Sequence, residues 1–184
     1  AQTSNLSFSI TGTNDIPTVS ADSPSAPLVE AGGIANANPG TNSATITLTK
    51  GDVDGTANYD TTHLTSNGWV DAGSGTYTKA GSFGSASFNT SNGLVTYSLN
   101  DNTAATQSLA AGQAVADTFG VVQVTDGSAT IQSGVISFVI TGSNDTPTVS
   151  ATSPSATLVE AGGINNATSG TATSTITFSK ADVD

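Results

Sequence analysis

The acidic residues of this chain recur at fixed positions and lack basic partners, a combination that points to bound cations. Eight of the 14 Asp and Glu residues fall into four pairs separated by 130 residues. The pairs are Asp15/Asp145, Glu30/Glu160, Asp52/Asp182 and Asp54/Asp184. The chain contains only three lysines, no arginine and a net charge of −11. Because so few basic residues can neutralise the recurrent carboxylates, we expect metal ions to supply the missing positive charge.

Calcium is the ion that these residue types suit, because it prefers about six to eight hard oxygen ligands. Asp52 and Asp54 stand two residues apart, and in a strand both carboxylates would point to one side and repel each other unless a cation lay between them. Glu30 and Glu160 each precede Ala-Gly-Gly, where glycines would let backbone carbonyls approach an ion. The predicted ligands are Asn14, Asp15, Glu30, Asp52, Asp54, Asp126, Asn144, Asp145, Glu160, Asp182 and Asp184. Asp101 and Asp117 are secondary candidates.

Ordinary turn formation is the alternative interpretation of each of these residues taken singly. Asp and Asn before Gly or Pro bond the local backbone without any metal. Turn formation does not explain why a glutamate recurs at 30 and 160. The pattern is not that of an EF-hand, since Ala57 and His63 stand where that motif requires Gly and Glu.

The acidic pairs belong to a longer duplication. Residues 10–54 and 140–184 align without a gap and are identical at 32 of 45 positions. A period of this length indicates an array of whole domains. We therefore expect residues 1–13 to be the last strand of a preceding repeat, 14–146 a complete repeat with its junctions, and 147–184 the first part of the next repeat. Pro17 and Pro147 predict that each junction is short and stiff.

Alternating apolar and polar residues predict that the elements between these positions are strands. The predicted strands are 6–10, 45–48, 75–78, 85–88, 94–99, 119–124, 136–140 and 175–178. A change of parity beside Gly120 predicts a β-bulge, and Asn-Gly and Asp-Gly pairs predict turns. Only residues 103–116 suggest a helical turn. Many short strands with frequent turns predict an all-β fold of tandem immunoglobulin- or cadherin-like β-sandwich domains.

Composition excludes several classes of function. With so few basic residues the chain cannot neutralise phosphates, so we expect no nucleic-acid binding, and an anionic membrane would repel it. No apolar run is long enough to insert into a bilayer. One histidine, no cysteine and no GxSxG motif predict that the protein is not an enzyme.

Two other functions remain open on the sequence. Trp69, near Tyr59 and Tyr77, could stack on a sugar ring, which makes a carbohydrate-binding β-sandwich module of a secreted protein the alternative to a structural role. Such aromatic residues also fill small sandwich cores. A passive spacer attached to a secreted enzyme is the third interpretation.

Several motifs resemble one family when taken together. Residues 11–17, TGTNDIP, resemble the GTNDAP signature of VCBS-type repeats in giant bacterial RTX-type surface adhesins. The pattern continues in order with Val-Glu at 29–30, DVD at 52–54, LAAG at 109–112, DTF at 117–119 and TGSND at 141–145. Ile16 and Thr146 depart from it, where the family usually has alanine. The chain is also similar, more loosely, to cadherin repeats, with an early Glu, a DxD and an ND-x-P linker.

The resemblance implies a calcium-stiffened rod of β-sandwich domains on the bacterial cell surface, with neighbouring repeats as partners. It implies that Asn14, Asp15, Asp52, Asp54 and Asp126 serve the first junction, and that Glu30, Asn144, Asp145, Asp182 and Asp184 serve the second. Glu160 would serve a third. We also predict that the N-terminal strand of one molecule pairs with the C-terminal piece of another, which would hide exposed strand edges.

Overall fold

The computed structural model describes residues 2–184 and is built almost entirely of short strands. The strands are β1 (Thr18–Ala21), β2 (Leu28–Val29), β3 (Ser43–Gly51), β4 (Asn58–Tyr59), β5 (Val70–Gly73), β6 (Thr76–Ala80), β7 (Gly84–Asn89), β8 (Leu94–Leu99), β9 (Ala114–Gly120), β10 (Gln123–Thr125), β11 (Thr130–Gln132), β12 (Ile136–Thr141), β13 (Thr148–Ala151) and β14 (Phe178–Ala181). Two short helices, α1 (Thr61–Ser66) and α2 (Ala104–Gln107), and two 3-10 turns, Ile34–Asn36 and Ile164–Asn166, interrupt them. This architecture confirms the all-β sandwich prediction.

In residues 14–146, which we call the first repeat, one large sheet packs against two small sheets. The large sheet has the order β1-β3-β8-β7-β6-β5. The small sheets have the orders β11-β10-β4 and β2-β12-β9, and β2 runs parallel to β12. Alternation along each strand sends every second side chain into the space between the layers. Along β12, for example, Ile136, Phe138 and Ile140 are all fully buried.

Aromatic side chains join the two layers. Tyr97 of β8 stacks on Phe138 of β12, with ring centroids 5.0 Å apart, and lies 5.8 Å from Phe119 of β9. Trp69 meets Phe88 and Phe119 at 6.2 and 6.0 Å. Burying each such ring contributes about 2–3 kcal/mol. The loops that carry the predicted ligands are therefore attached to strands that share one packed core.

Most of the predicted strands and turns are confirmed. The strand predicted at 94–99 is β8 itself, and Asn92-Gly93 and Asp126-Gly127 place their glycines at positive φ. Ile136 pairs with Gly120 and Ser137 with Thr118, so Phe119 is an extra residue and the predicted bulge is present. The helical turn predicted within 103–116 is α2. Helix α1, which the sequence did not predict, begins where Asp60 accepts hydrogen bonds from the amides of Thr62 and His63.

The strand predicted at 6–10 is wrong for this structure. Those residues form no ladder, and Leu6, Phe8 and Ile10 are more than four-fifths exposed. Residues 175–177, also predicted as strand, lie outside β14, which begins at Phe178. Residues 6–10 have no neighbouring strand among the described residues. Residues 175–177 are bonded on one side only, by the amides of Ser155 and Thr152, and lack the second neighbour that β8 gives to residues 45–47 of β3.

Residues 140–184, the second copy of the duplicated segment, have the same local structure as residues 10–54, the first copy. Strand β13 pairs with β14 in the register of β1 with β3, since Thr18 faces Gly51 and Thr148 faces Ala181. The two 3-10 turns both contain residues at positive φ, Asn36 at 58° and Asn166 at 59°. In the described residues the β13–β14 pair has this local structure without further strands paired beside it. The local structure is therefore encoded within each 45-residue segment.

Candidate metal junctions

The first group of predicted ligands gathers around the segment that precedes Pro17. The backbone amide of Asp15 donates to both carboxylate oxygens of Asp54, each at 3.2 Å. The side-chain amide of Asn14 donates to Asp126 at 2.9 Å. Residues from three separate parts of the sequence therefore meet at this place.

Asp52 and Asp54 do not lie in a strand, which corrects the geometry expected from the sequence. Strand β3 ends at Gly51, and the Asp52 carboxylate folds over a turn, where one oxygen accepts from the amides of Asp54 and Gly55 at 3.1 and 3.0 Å. The other oxygen is buried and has no hydrogen-bond partner. The residue therefore forms a turn with one oxygen and leaves the second one free for a ligand.

Asp126 is held as an anion at the first junction. The amides of Ala129 and Ser128 each donate to its carboxylate at 2.6 Å, and Asn14 donates to the second oxygen. The hydrogen bond from Ala129, followed by those from Asn14 and Ser128, lowers the pKa of Asp126 below its ordinary value. This carboxylate stays charged under mildly acidic conditions.

The second junction is more enclosed than the first. Asp145 is only 4% exposed, and neither of its carboxylate oxygens has a hydrogen-bond partner. Its backbone amide donates to Asp184 at 3.3 Å, in the same arrangement as Asp15 with Asp54. Burial, and then the negative charges of Asp184 and Asp182, raise the pKa of Asp145. A buried carboxylate with no donor beside other carboxylates is costly unless a cation is bound to it.

Glu30 provides the other side of the second junction. It is fully buried, and its carboxylate accepts from the amide of Ser143 at 3.2 Å and from the side chain of Gln107 at 3.4 Å. Burial raises the pKa of Glu30, and the charges of Asp145, Asp101 and Asp184 raise it further, although the hydrogen bond from Ser143 opposes them. Five carboxylates, those of Glu30, Asp101, Asp145, Asp182 and Asp184, thus interact electrostatically at this place.

The glycines after Glu30 allow two segments of the chain to pack closely. The amide of Gly33 donates to the Asn144 carbonyl at 2.9 Å, and a Cβ on Gly32 would overlap Ser143 and Asn144. We expected these glycines to let carbonyls approach a metal. Instead they let the 141–146 segment lie directly on residues 30–33, which is what buries Asp145.

Two residues at the second junction were not in the predicted ligand set. Asp101 accepts from the amide of Ala31 at 3.1 Å, and Gln107 donates to both Glu30 and Asn36. Asp101 was a secondary candidate, and its acidic side chain was the only signal. Gln107 carries no sequence signal, because only the packing of α2 brings it there.

Other predicted residues lie apart from these groups or serve the fold. Glu160 is exposed on the second copy, where no neighbouring carboxylate contacts it in the described residues. Asp117, a secondary candidate, is buried and accepts hydrogen bonds from the amides of Ser82 and Phe83 and from the Tyr97 hydroxyl, so it serves the fold. Among residues 2–184 no three carboxylate or imidazole groups are arranged as a complete metal site. An ion at either junction would therefore need the carboxylates to close on it, together with amide and backbone oxygens.

The aromatic residues of the carbohydrate alternative are also in the core. Trp69, Tyr59 and Tyr77 are each less than a tenth exposed. Trp69 therefore cannot stack on a sugar ring in this structure, and the surface around it offers no exposed aromatic platform from these three residues.

Acidification should stabilise the ion-free protein. The folded pKa values of Glu30 and Asp145 are raised, so the folded state binds protons more readily than the unfolded state between the unfolded and folded pKa values. With a chelator present, lowering the pH from about 7 to about 5 is expected to raise the melting temperature. Calorimetry in two buffers would measure this shift. The E30Q D145N variant is the control. Because it lacks both titrating carboxylates, its melting temperature should not rise in this way when the pH is lowered.

No family model matches the sequence, and neither the curated proteins nor the solved structures contain a match. No helix in the described part of the chain has the length and apolar character to cross a bilayer.

Proposed function

We propose that this chain is a calcium-binding structural extender module of a long extracellular bacterial adhesin, in which Ca²⁺ at the domain junctions stiffens the rod. The observation that carries this proposal is the buried Asp145 carboxylate, which has no donor and lies beside other acidic groups. The proposal also rests on the resemblance of the junction motifs to VCBS-type repeats.

The distribution of positive charge supports a metal ion at this place. Lys50 donates to the carbonyl of Ala57 and lies 5.2 Å from the Tyr59 ring centroid. Lys79 donates to the carbonyls of Asn67 and Phe119. These two ammonium groups are therefore committed elsewhere. The third lysine, Lys180, is exposed two residues before Asp182, and a single ammonium group cannot neutralise five carboxylates. A divalent cation would neutralise the junction carboxylates and join the segment before each Pro to the turn after β3 or β14.

The two junctions should bind calcium unequally. At the second junction, Glu30 and the chain over residues 30–33 cover the Asp145 side of the cluster. Asp15, its counterpart, is exposed in the described residues. A site that is more enclosed and has more carboxylates excludes water and holds a cation more tightly. We therefore expect one tighter and one weaker class of calcium site.

Calcium should narrow the range of positions that the N-terminal segment adopts. A chain without cysteine accepts spin labels at chosen sites, for example S9C on one side of the first junction and S66C on α1. Pulsed dipolar spectroscopy should give a narrow distance distribution in calcium and a broad one in chelator. Solution scattering should show a larger and more variable maximum dimension without calcium.

For the S9C–S66C label pair, the D52A D54A variant should behave in calcium as the parent does in chelator. It removes the Asp54 carboxylate that the Asp15 amide contacts and the neighbouring carboxylate of Asp52, so only the first junction is affected. The D22A D71A variant is a matched control, since it removes the same charge from exposed positions away from the junction. A second label pair across the other junction, S66C with T173C, should keep its calcium response in D52A D54A. Superimposable distributions with and without calcium in the parent protein would reject the stiffening role.

A further inference from the structure

A small surface cavity lies where the turn between β6 and β7 meets the end of β8. It has a volume of about 220 Å³. All of its lining residues belong to the first repeat and none of them is ionisable, although the whole chain carries a net charge of −11. The side chains that line it are those of Ser82, Phe83, Ser85, Ser98, Asn100 and Thr103. An uncharged lining favours an uncharged ligand, because a bound charge would have no partner there.

The polar groups of this cavity are available to a ligand. The hydroxyls of Ser82, Ser85 and Ser98 belong to exposed residues, and within residues 2–184 they form no hydrogen bond. The side-chain oxygen of Asn100 accepts from the Asn102 amide at 3.1 Å, which leaves the NH2 group of Asn100 free to donate. Each hydroxyl can both donate and accept, whereas an amide NH2 group donates. This mixture matches a ligand that carries several hydroxyl groups.

Phe83 gives the cavity an apolar wall. Its side chain is partly buried against the core and also lines the cavity. A sugar ring presents both hydroxyls and a face of C–H groups, and an aromatic ring can pack against such an apolar face. The cavity is smaller than the range of about 300–1,000 Å³ that is typical of sites for drug-sized ligands. These properties fit a single sugar ring better than a larger molecule.

The cavity is held in shape by a buried carboxylate beneath it. Asp117 accepts from the amides of Ser82 and Phe83 at 2.7 and 3.0 Å. The Asn100 amide donates to the Phe83 carbonyl at 2.9 Å, which ties the end of β8 to the turn. A Cβ at Gly84 would overlap the backbone of β8, so the turn packs directly on that strand. A preformed cavity loses little conformational freedom when a ligand binds.

Hydroxyl side chains continue from the cavity along the outer face of the large sheet. They point away from the core, because their neighbours Ala86 and Tyr97 are buried. We call these residues the hydroxyl row: Ser87 of β7 beside Thr96 of β8, flanked by Thr78 of β6 and Thr45 of β3. Alternate residues of a strand stand about 7 Å apart, so the row begins within reach of a second sugar ring linked to one in the cavity.

We propose that this cavity binds one ring of a neutral glycan and that the next ring lies over the hydroxyl row. The hydroxyls of Ser85 and Ser98 exchange hydrogen bonds with the first ring, and Phe83 packs against its apolar face. The site does not involve the buried Trp69. It gives the module a contact with polysaccharide that is independent of calcium and separate from the stiffening of the rod.

Native gels that contain a polysaccharide test the proposal, because a protein that binds an immobile polymer migrates more slowly. Dextran, laminarin and galactomannan are the neutral probes, and alginate is the acidic one. In chelator, at least one neutral polymer should retard the parent protein, and alginate should not. Migration that none of the three neutral polymers changes would overturn the proposal, and so would retardation by alginate alone.

S85L and S98L should each weaken the binding by at least about tenfold, because leucine fills the cavity and removes a hydroxyl that bonds the ring. Both positions are exposed, so both variants should keep the parent melting temperature. S66L is the matched control, since Ser66 is exposed on α1 and does not line the cavity. It should bind as the parent does. Equal losses in S66L and S98L would contradict a site in this cavity.

Backbone amide resonances locate the site. When an oligosaccharide cut from the retarding polymer is added in chelator, the signals of residues 81–85 and 98–103 should shift. The signals of Asp15, Trp69 and Asp145 should not. Shifts confined to residues outside the cavity and the hydroxyl row would overturn the assignment. Because these experiments contain no calcium, their failure would leave the calcium-dependent stiffening untouched, and a protein that ignores calcium could still bind the glycan.

Discussion

Replacing Asp117 with alanine should lower the free energy of unfolding by about 4 kcal/mol. The Asp117 carboxylate is 3% exposed and accepts from the amides of Ser82 and Phe83 at 2.7 and 3.0 Å and from the Tyr97 hydroxyl at 2.6 Å. Alanine would leave all three donors without an acceptor. Urea denaturation followed by tryptophan fluorescence would measure the change, since Trp69 is buried in the same core.

Two controls separate this structural role from a metal-binding one. Y97F removes one donor and should cost about 1–2 kcal/mol. D71A removes an exposed carboxylate and should change stability by less than about 0.5 kcal/mol. If Asp117 serves only the fold, D117A keeps the calcium response of the junctions at temperatures where it is folded. A variant of near-parental stability that has lost calcium binding would instead make Asp117 a ligand.

The same carboxylate shows why the sequence alone could not assign every acidic residue. Asp117 occurs in a DTF motif that resembles a family signature. Its parity in β9 is that of Val115 and Phe119, but no local pattern reveals which donors it meets. Its partners are set by the β6–β7 turn and by β8, which lie far away along the chain. Burial, and the hydrogen bond to Asp117, raise the pKa of Tyr97 well above its ordinary value, a consequence of tertiary packing that no local pattern encodes.

Local sequence patterns correctly predicted those elements that depend only on residues within one strand. Alternation predicted β8, and the parity change predicted the bulge at Gly120, because both depend on residues within one strand. Residues 6–10 carry the same alternation as β12 yet are not a strand here. The difference is not in the sequence of the segment, since a strand exists only where another strand accepts its hydrogen bonds.

The duplication predicted that there are two junctions, but it did not predict that their equivalent aspartates differ in burial. Asp15 and Asp145 are equivalent by sequence, and the first is exposed while the second is buried. The cause is the contact of residues 141–146 with residues 30–33, which joins positions more than a hundred residues apart. A repeat therefore predicts which residue types recur, while burial depends on which neighbours are present.

Calcium should raise the melting temperature of the protein by about 5–10 °C when its free concentration is about a hundredfold above the dissociation constant. In the D145N variant most of this increase should disappear, because Asn cannot supply the charged oxygen that would bind the ion. In chelator, D145N should instead have a higher melting temperature than the parent protein. The reason is that the substitution removes a buried charge that has no hydrogen-bond partner.

The duplication supplies the matched control. D15N makes the same chemical change at the equivalent position of the first junction, where the side chain is exposed. It should keep most of the calcium-dependent increase and should not gain stability in chelator. Differential scanning calorimetry of the three proteins in calcium and in chelator measures all of these shifts. A parent protein whose melting temperature ignores calcium would reject the metal site, and equal behaviour of D15N and D145N would reject the argument that burial makes the second junction the stronger one.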